Sequence, residues 1–220
     1  MTAIRALHVF PLFGADLPNG SERYAYLLTR ELSKRADIQV FTTCARGARW
    51  KAGLALEWHD EFPPGSSQLE GFSVRRFRTP FSIPKLIGQA AEWLSARHVE
   101  RQRRRLGLAM DAQLTPEQCH AIMARQNRWS DRLGLLSRGP LSLGLYLALW
   151  RALPDADVVL VTFFPLLSVP AVVWMARRRG KPVIVLPMFH ATDLINNSRT
   201  LGDAVTRASA VLTQTGYTTR

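Results

Sequence analysis

At 220 residues the chain suits one domain of ordinary size, and its 47% hydrophobic content excludes a disordered chain. Two cysteines, Cys44 and Cys119, exclude a disulfide framework and fit a reducing compartment. The net charge of +12 comes from 25 Arg and only 4 Lys against 17 acidic residues, which puts anionic partners first: nucleic acid, phosphates or an anionic membrane surface. The same arginine skew also follows from GC-rich coding, so charge alone does not select a partner.

From Met1 to Phe13 the chain carries one Arg and a short apolar run, followed by Gly14-Ala15-Asp16. It lacks the long apolar core and small-residue cleavage site of a secretory signal, which reads as a cytoplasmic start. Ala6 to Leu12 predicts a first strand. Asn19-Gly20-Ser21-Glu22 opens a helix whose Tyr24, Leu27, Leu28 and Leu32 recur at helical spacing, with Lys34 and Arg35 closing it. Ile38 to Thr43 predicts a second strand, and Ser73 to Phe77 a third after the turn-rich Phe62 to Ser67. From Ile87 to Trp150 there is no strand pattern. Gln89 to Leu108 is helix-forming, Thr115-Pro116 reads as a helix cap and first position, and Gly139-Pro140 breaks the pattern before Leu141 to Ala152. Asp157 to Phe163, Pro182 to Leu186 and Ala210 to Thr213 predict three more strands, with a helix from Val169 to Arg179 that has Pro170 in its first turn. The uncharged stretch Val158 to Ala176 has the length of a membrane span, but its interior prolines and split pattern favour a strand followed by a helix.

Continuous apolar strands separated by amphipathic helices predict an α/β fold, a doubly wound, Rossmann-like parallel sheet. Residues 1–220 form a single domain in this reading, with a helical insertion over about 87–152. The first strand leads through a loop into a helix whose first amides are free, an arrangement that suits a phosphate. Gly20 lets the backbone approach a ligand, Ser21 offers a hydroxyl, and Glu22 either stabilises the helix dipole or binds a ligand hydroxyl. An ordinary helix start capped by Asn19 or Ser21 explains the same residues. There is neither a Gly-x-Gly-x-x-Gly fingerprint nor a Gly-Lys-Ser/Thr loop. His190 and Asp193 follow the fifth strand, where an open parallel sheet has its crevice. A histidine there can shift a proton or simply cap the strand end. Cys119 and His120 have no second ligand pair, so no metal is expected.

The order of these motifs resembles the N-terminal domain of a GT-B glycosyltransferase of the retaining family 4 group. The residues that carry the resemblance are Asn19-Gly20-Ser21-Glu22, Phe41-Thr42-Thr43, the run Pro154 to Val159, Arg179-Gly180-Lys181-Pro182-Val183, the strand ending at His190, and Arg207 to Thr213. They cover roughly 4–45 and 154–216. The resemblance implies a hexosyltransferase-like enzyme that takes a nucleotide-sugar donor and a glycan or lipid-linked acceptor, retains anomeric configuration, and needs neither metal nor cofactor. It places Gly20 near the donor pyrophosphate, with Ser21 and Glu22 shaping the site, and His190 beside the transferred sugar. Asn19 stands where the family has its first loop glycine. The family's C-terminal donor-binding domain, with its acidic pair, is absent from these 220 residues, so this part alone is expected not to turn over. Glu92 and Glu100 have the pair's spacing without its surrounding sequence.

The sharpest charge feature is Arg97 with Arg101, Arg103, Arg104 and Arg105, next to Trp93 and Leu94. It reads either as a membrane-surface helix at the inner face of the membrane or as a solvated helix face with its aromatics packed inward. Nucleic acid is disfavoured because no recognition motif accompanies the run. Trp129, Trp150 and Trp174 are expected in the core. The competing class is a non-catalytic Rossmann-like module that binds an anionic ligand or membrane surface.

Overall fold

The apolar runs of the sequence build a central sheet because, as strands buried on both faces, they satisfy their backbone in a ladder while packing side chains above and below. The computed structural model describes residues 3–15, 17, 20–51, 54–79, 85–126, 128–136, 139–162, 166–188 and 198–213. Strands are β1 (Ile4–Val9), β2 (Ala36–Thr43), β3 (Ala45–Lys51), β4 (Leu54–Asp60), β5 (Gly65–Leu69), β6 (Phe72–Phe77), β7 (Val158–Thr162), β8 (Val183–Leu186) and β9 (Ala210–Val211). Helices are α1 (Gly20–Ser33), α2 (Lys85–Arg105), α3 (Pro116–Ala124), α4 (Arg128–Leu136), α5 (Leu143–Ala152), α6 (Ser168–Arg178) and α7 (Arg199–Thr206).

Seven strands form one sheet in the order β5-β6-β2-β1-β7-β8-β9, parallel except for β5 against β6. The chain therefore runs outward from β1 through β2 to β6 and later resumes on the other side of β1. The switch point lies between β1 and β7, which pair from Ala6 with Val158 to Val9 with Val161. The outer ends of β1 and β7 are tied reciprocally: the Arg5 amide donates to Asp157 Oδ2 at 2.8 Å, and the Asp157 amide to the Arg5 carbonyl at 2.8 Å.

Alternation along the strands divides the core in two. Leu7, Val9, Phe41, Val159 and Val161 pack against α5, α6 and α7 through Leu149, Leu153, Val172, Val173 and Leu201. Ala6, Phe10, Ile38, Val40 and Leu160 pack against Ala25 and Tyr26 of α1, with Phe13 and Phe72. Fully burying one such apolar side chain contributes about 1.5–3 kcal/mol.

The helical stretch falls where the sequence predicts it. Thr115 and Gln118 form a reciprocal capping box on α3, with Pro116 at its first position. Pro170 lies in the first turn of α6, where its missing N–H has no helical partner to lose. Gly180, at φ +65°, ends α6: its amide donates to the Arg177 carbonyl and the Lys181 amide to that of Ala176, the paired bonds of a Schellman motif. The stretch 158–176 is divided between β7 and α6, and no described helix is long and apolar enough to cross a membrane.

Three expectations are corrected. Of the expected α1 face Leu28 and Leu32 pack half-buried on the core, but Tyr24 and Leu27 are exposed; the fully buried residues are Glu22, Ala25, Tyr26 and Thr29, because small Ala25 and Thr29 let the helix approach the sheet. The region read as turns contains β5, and a further hairpin, β3 with β4, extends from the end of β2. Trp129 (71% exposed) and Trp174 (56%) lie on the surface, and Trp150 is half-buried against Trp174.

Two glycines with positive φ separate strain from clash. Gly180→Ala is expected to cost about 1 kcal/mol, because a Cβ there meets open space and only the left-handed backbone is penalised. Gly139→Ala is expected to cost about 2–3 kcal/mol, since at φ +90° its Cβ would also stand 2.8 Å from Cδ2 of buried Leu166. Urea midpoints of the two variants check the order.

Candidate functional site

The crevice of a doubly wound sheet opens beyond the C-terminal strand ends at the switch point, here the ends of β1 and β7. Beyond Val9 the chain does not leave β2 at once. The Phe10 amide donates to the Phe41 carbonyl at 3.1 Å, and the amide and hydroxyl of Thr43 both donate to the Pro11 carbonyl, at 3.2 and 2.6 Å. Arg76 of β6 holds the next stretch, with Nη2 donating to the Phe13 carbonyl at 3.3 Å and its guanidinium 4.8 Å from the Phe62 ring centroid. Burial pushes the Arg76 guanidinium below its usual range, an effect opposed by nearby Cys44. Burial, aided by Asp60, pushes the enclosed Cys44 thiol up, so it remains an unreactive thiol.

This pinned loop delivers the chain to α1, which starts at Gly20. A Cβ at Gly20 would meet nothing within 4 Å, so nothing within the described fold demands glycine there. Ser21 donates its hydroxyl to Glu22 Oε2 at 2.9 Å, and Glu22 is 1% exposed. The pair thus sits at the positive end of the α1 dipole, with the carboxylate inside the fold. To donate to a ligand phosphate, Ser21 must first release Glu22. Asn19, His190 and Asp193 lie outside the described residues.

Beneath the crevice stands a histidine that motif reading passes over. His8 occupies an apolar-pattern position of β1, yet its side chain is polar and buried, 1% exposed. Its Nδ1 lies 2.7 Å from Thr29 Oγ1 of α1 and its Nε2 lies 2.8 Å from Thr162 Oγ1 at the end of β7. Thr29 donates its one hydroxyl proton to the Ala25 carbonyl at 2.7 Å, so it accepts from His8 Nδ1–H. Nε2 is then the acceptor for the Thr162 hydroxyl, which assigns a neutral ring with one tautomer. Burial pushes the His8 pKa down to about 4, in keeping with that assignment. Its threonine partners are 21 and 154 residues away, so only the fold brings the three together. Arg76 was likewise legible only as a strand residue.

The arginines of α2 are not equivalent. Arg97 lies 4.1 Å from the centroid of exposed Trp93, and Leu94 beside it is also exposed. Arg103 is half-buried and donates through Nη1 to the carbonyls of Ala109, Met110 and Ala112 at 2.7, 2.8 and 3.0 Å, closing the turn after the helix. Arg104 pairs with Glu100 at 2.6 Å, whereas Arg101 and Arg105 are exposed. Trp93 is therefore not packed inward. Among the described residues no group of three or more His, Cys, Asp or Glu side chains is placed to hold a metal ion. Comparison with known proteins finds no matching family model and no matching curated protein.

The His8 network gives a signed pH dependence. Between the unfolded value of 6.5 and the folded value of about 4 the unfolded chain binds the extra proton. Stability is therefore complete above pH 6.5 and falls by about 3 kcal/mol as the pH drops through 4. His8→Leu is expected to remove this dependence, and to cost about 2 kcal/mol at pH 7 because the Thr162 hydroxyl loses its acceptor. Denaturant titrations from pH 4 to 7 on both proteins measure it.

Proposed function

We propose that these residues form the acceptor-side domain of a GT-B, family 4-like glycosyltransferase that moves a sugar from a nucleotide-sugar donor to a glycan or lipid-linked acceptor with retention. The observation that supports this reading is Gly20. It opens α1 at the edge of the switch-point crevice, with free space around it and no internal reason to be glycine. A position that tolerates a side chain within the fold but lacks one suits close approach by a ligand backbone or phosphate. Ser21 and Glu22 then set the first turn, and His190 serves as the group beside the transferred sugar. The donor-binding half supplies the remaining phosphate contacts, so turnover belongs to the protein at its full native length.

The test is transfer from UDP- and GDP-sugars by the protein at that length. Gly20→Val is expected to lower kcat/KM about a hundredfold by displacing the donor, with Tm nearly unchanged. His190→Ala is expected to abolish transfer with the fold intact. No transfer from any donor, or undiminished turnover in His190→Ala, would overturn the reading.

A second reading has its own observation. Exposed Trp93 and Leu94 beside Arg97 and Arg101 on α2 suit a peripheral contact with an anionic membrane at its cytoplasmic face, with or without catalysis. Flotation with phosphatidylcholine vesicles containing about one quarter phosphatidylglycerol should retain the protein at low salt and lose most of it in Trp93→Ala/Arg97→Ala. Equal flotation of the two proteins would remove α2 from that role.

A further inference from the structure

The unexplained feature of the molecule lies on its other layer, away from α1. Helices α4, α6 and α7 leave between them an open groove of about 450 Å³. Arg128 and Arg132 come from α4, Arg177 and Arg178 from α6, Arg199 from the start of α7 and Arg207 from its C-cap. The lining contains one carboxylate, Asp203. None of the six guanidiniums forms an ion pair among the described residues.

Helical spacing makes this concentration deliberate in geometry. Arg128 and Arg132 are one turn apart, and Arg199, Asp203 and Arg207 share one face of α7. On α4 the like charges at that spacing repel, whereas on α7 Asp203 stands one turn from each arginine and offsets part of their repulsion. Two forks are held in place by neutral acceptors: Arg177 Nη1 donates to the Arg207 carbonyl at 2.9 Å, and Arg199 Nη1 to the Ala124 carbonyl at 3.4 Å. These bonds orient the forks and leave their charge uncompensated. The start of α7 contributes little attraction, because Asp131 already accepts from the Thr200 amide at 2.8 Å and from the Thr200 hydroxyl. The pull on an anion therefore comes from the guanidiniums.

Trp174 adds an apolar wall. It lines the groove, stacks on Trp150 with centroids 6.2 Å apart, and carries Arg178 5.7 Å from its centroid, while Arg179 covers Trp150 at 3.9 Å. A fixed, half-exposed indole beside several guanidinium forks matches a ligand with a phosphate head and an organic body. We propose that this groove binds a phosphate or diphosphate ester, its oxygens held by the α4, α6 and α7 arginines and its organic part against Trp174. Its volume suits one or two phosphates rather than the extended phosphate track of a duplex. The site lies on the face of the sheet opposite α1 and does not depend on the glycosyl-transfer reading.

The probe is inorganic pyrophosphate, titrated into the 220-residue protein with tryptophan fluorescence and Tm as readouts. Vesicles of phosphatidylcholine with phosphatidic acid and a short duplex DNA form the parallel arms. Saturable pyrophosphate binding is expected. Arg128→Glu/Arg207→Glu should weaken it at least about tenfold, and Arg128→Lys/Arg207→Lys by less. Arg35→Glu, an exposed arginine just after α1 on the opposite layer, should leave it unchanged. Arg128→Gln/Arg207→Gln gives the same readout without added carboxylates should the Glu pair lower Tm. Binding to vesicles alone with the same variant pattern would support the site and assign the phosphate to a lipid headgroup. Three outcomes overturn the proposal: no anion binding in either arm, binding indifferent to the groove substitutions, or preference for DNA over both probes.

Discussion

The ring of His8 is the point on which the architecture turns. β1 has neighbours on both sides, and the chain reverses its direction of travel across the sheet there. Within β1, His8 joins α1 through Thr29 and β7 through Thr162, so one neutral imidazole couples the two elements that border the crevice. A leucine in its place would pack as well but would align nothing. The bonds run in one direction, from Thr162 to His8 to Thr29 to the Ala25 carbonyl, so each donor has an acceptor and the buried chain is satisfied. Such a network ties the middle of α1, at Ala25 and Thr29, to the end of β7.

The six parallel strands were legible in the sequence because most are apolar or β-branched runs bounded by turn residues, and β6, Phe-Ser-Val-Arg-Arg-Phe, follows a turn-rich stretch. β5 was not, because Gly65-Ser66-Ser67-Gln68 carries no hydrophobic alternation; that strand exists by pairing with β6 at an edge. The β3–β4 hairpin escaped for a related reason, since Ala45-Arg46-Gly47-Ala48-Arg49 lacks strand composition and is registered through β4. On α1 the large residues marked the buried face only in part: Leu28 and Leu32 pack on the core, whereas Tyr24 and Leu27 are exposed. Size marks what would be buried in isolation, whereas here small Ala25 and Thr29 face the sheet so that His8 can reach across.

The candidate site was legible in part. The opening of a helix at Gly20 followed from local sequence, and the free space around it is what the structure adds. That Ser21 is engaged by buried Glu22 was not legible, because burial of an acidic first-turn residue depends on how the β1–α1 loop is pinned by Thr43 and Arg76. The α2 arginines looked uniform in sequence and are not: Arg103 closes a turn and exposed Arg104 pairs with Glu100, which leaves Arg97, Arg101 and Arg105 as the exposed arginines without an ion pair among the described residues.

The distribution of charge sets one group of arginines apart from the rest of the excess. Enrichment that merely followed coding composition would scatter arginines over the surface, paired and unpaired alike. On the α1 side Arg30 lies near Glu31 and Glu70 and Lys34 binds Glu31, while Arg23 and Arg35 are exposed. Across the sheet, six arginines from three helices converge on one groove against a single carboxylate. Three helices separated by long stretches of chain place those side chains on facing surfaces, one turn apart on α4, adjacent on α6 and two turns apart at the two ends of α7. Random enrichment gives no reason for that convergence, and self-repulsion works against it. The proposed anion site rests on that convergence of six arginines and not on the excess as a whole.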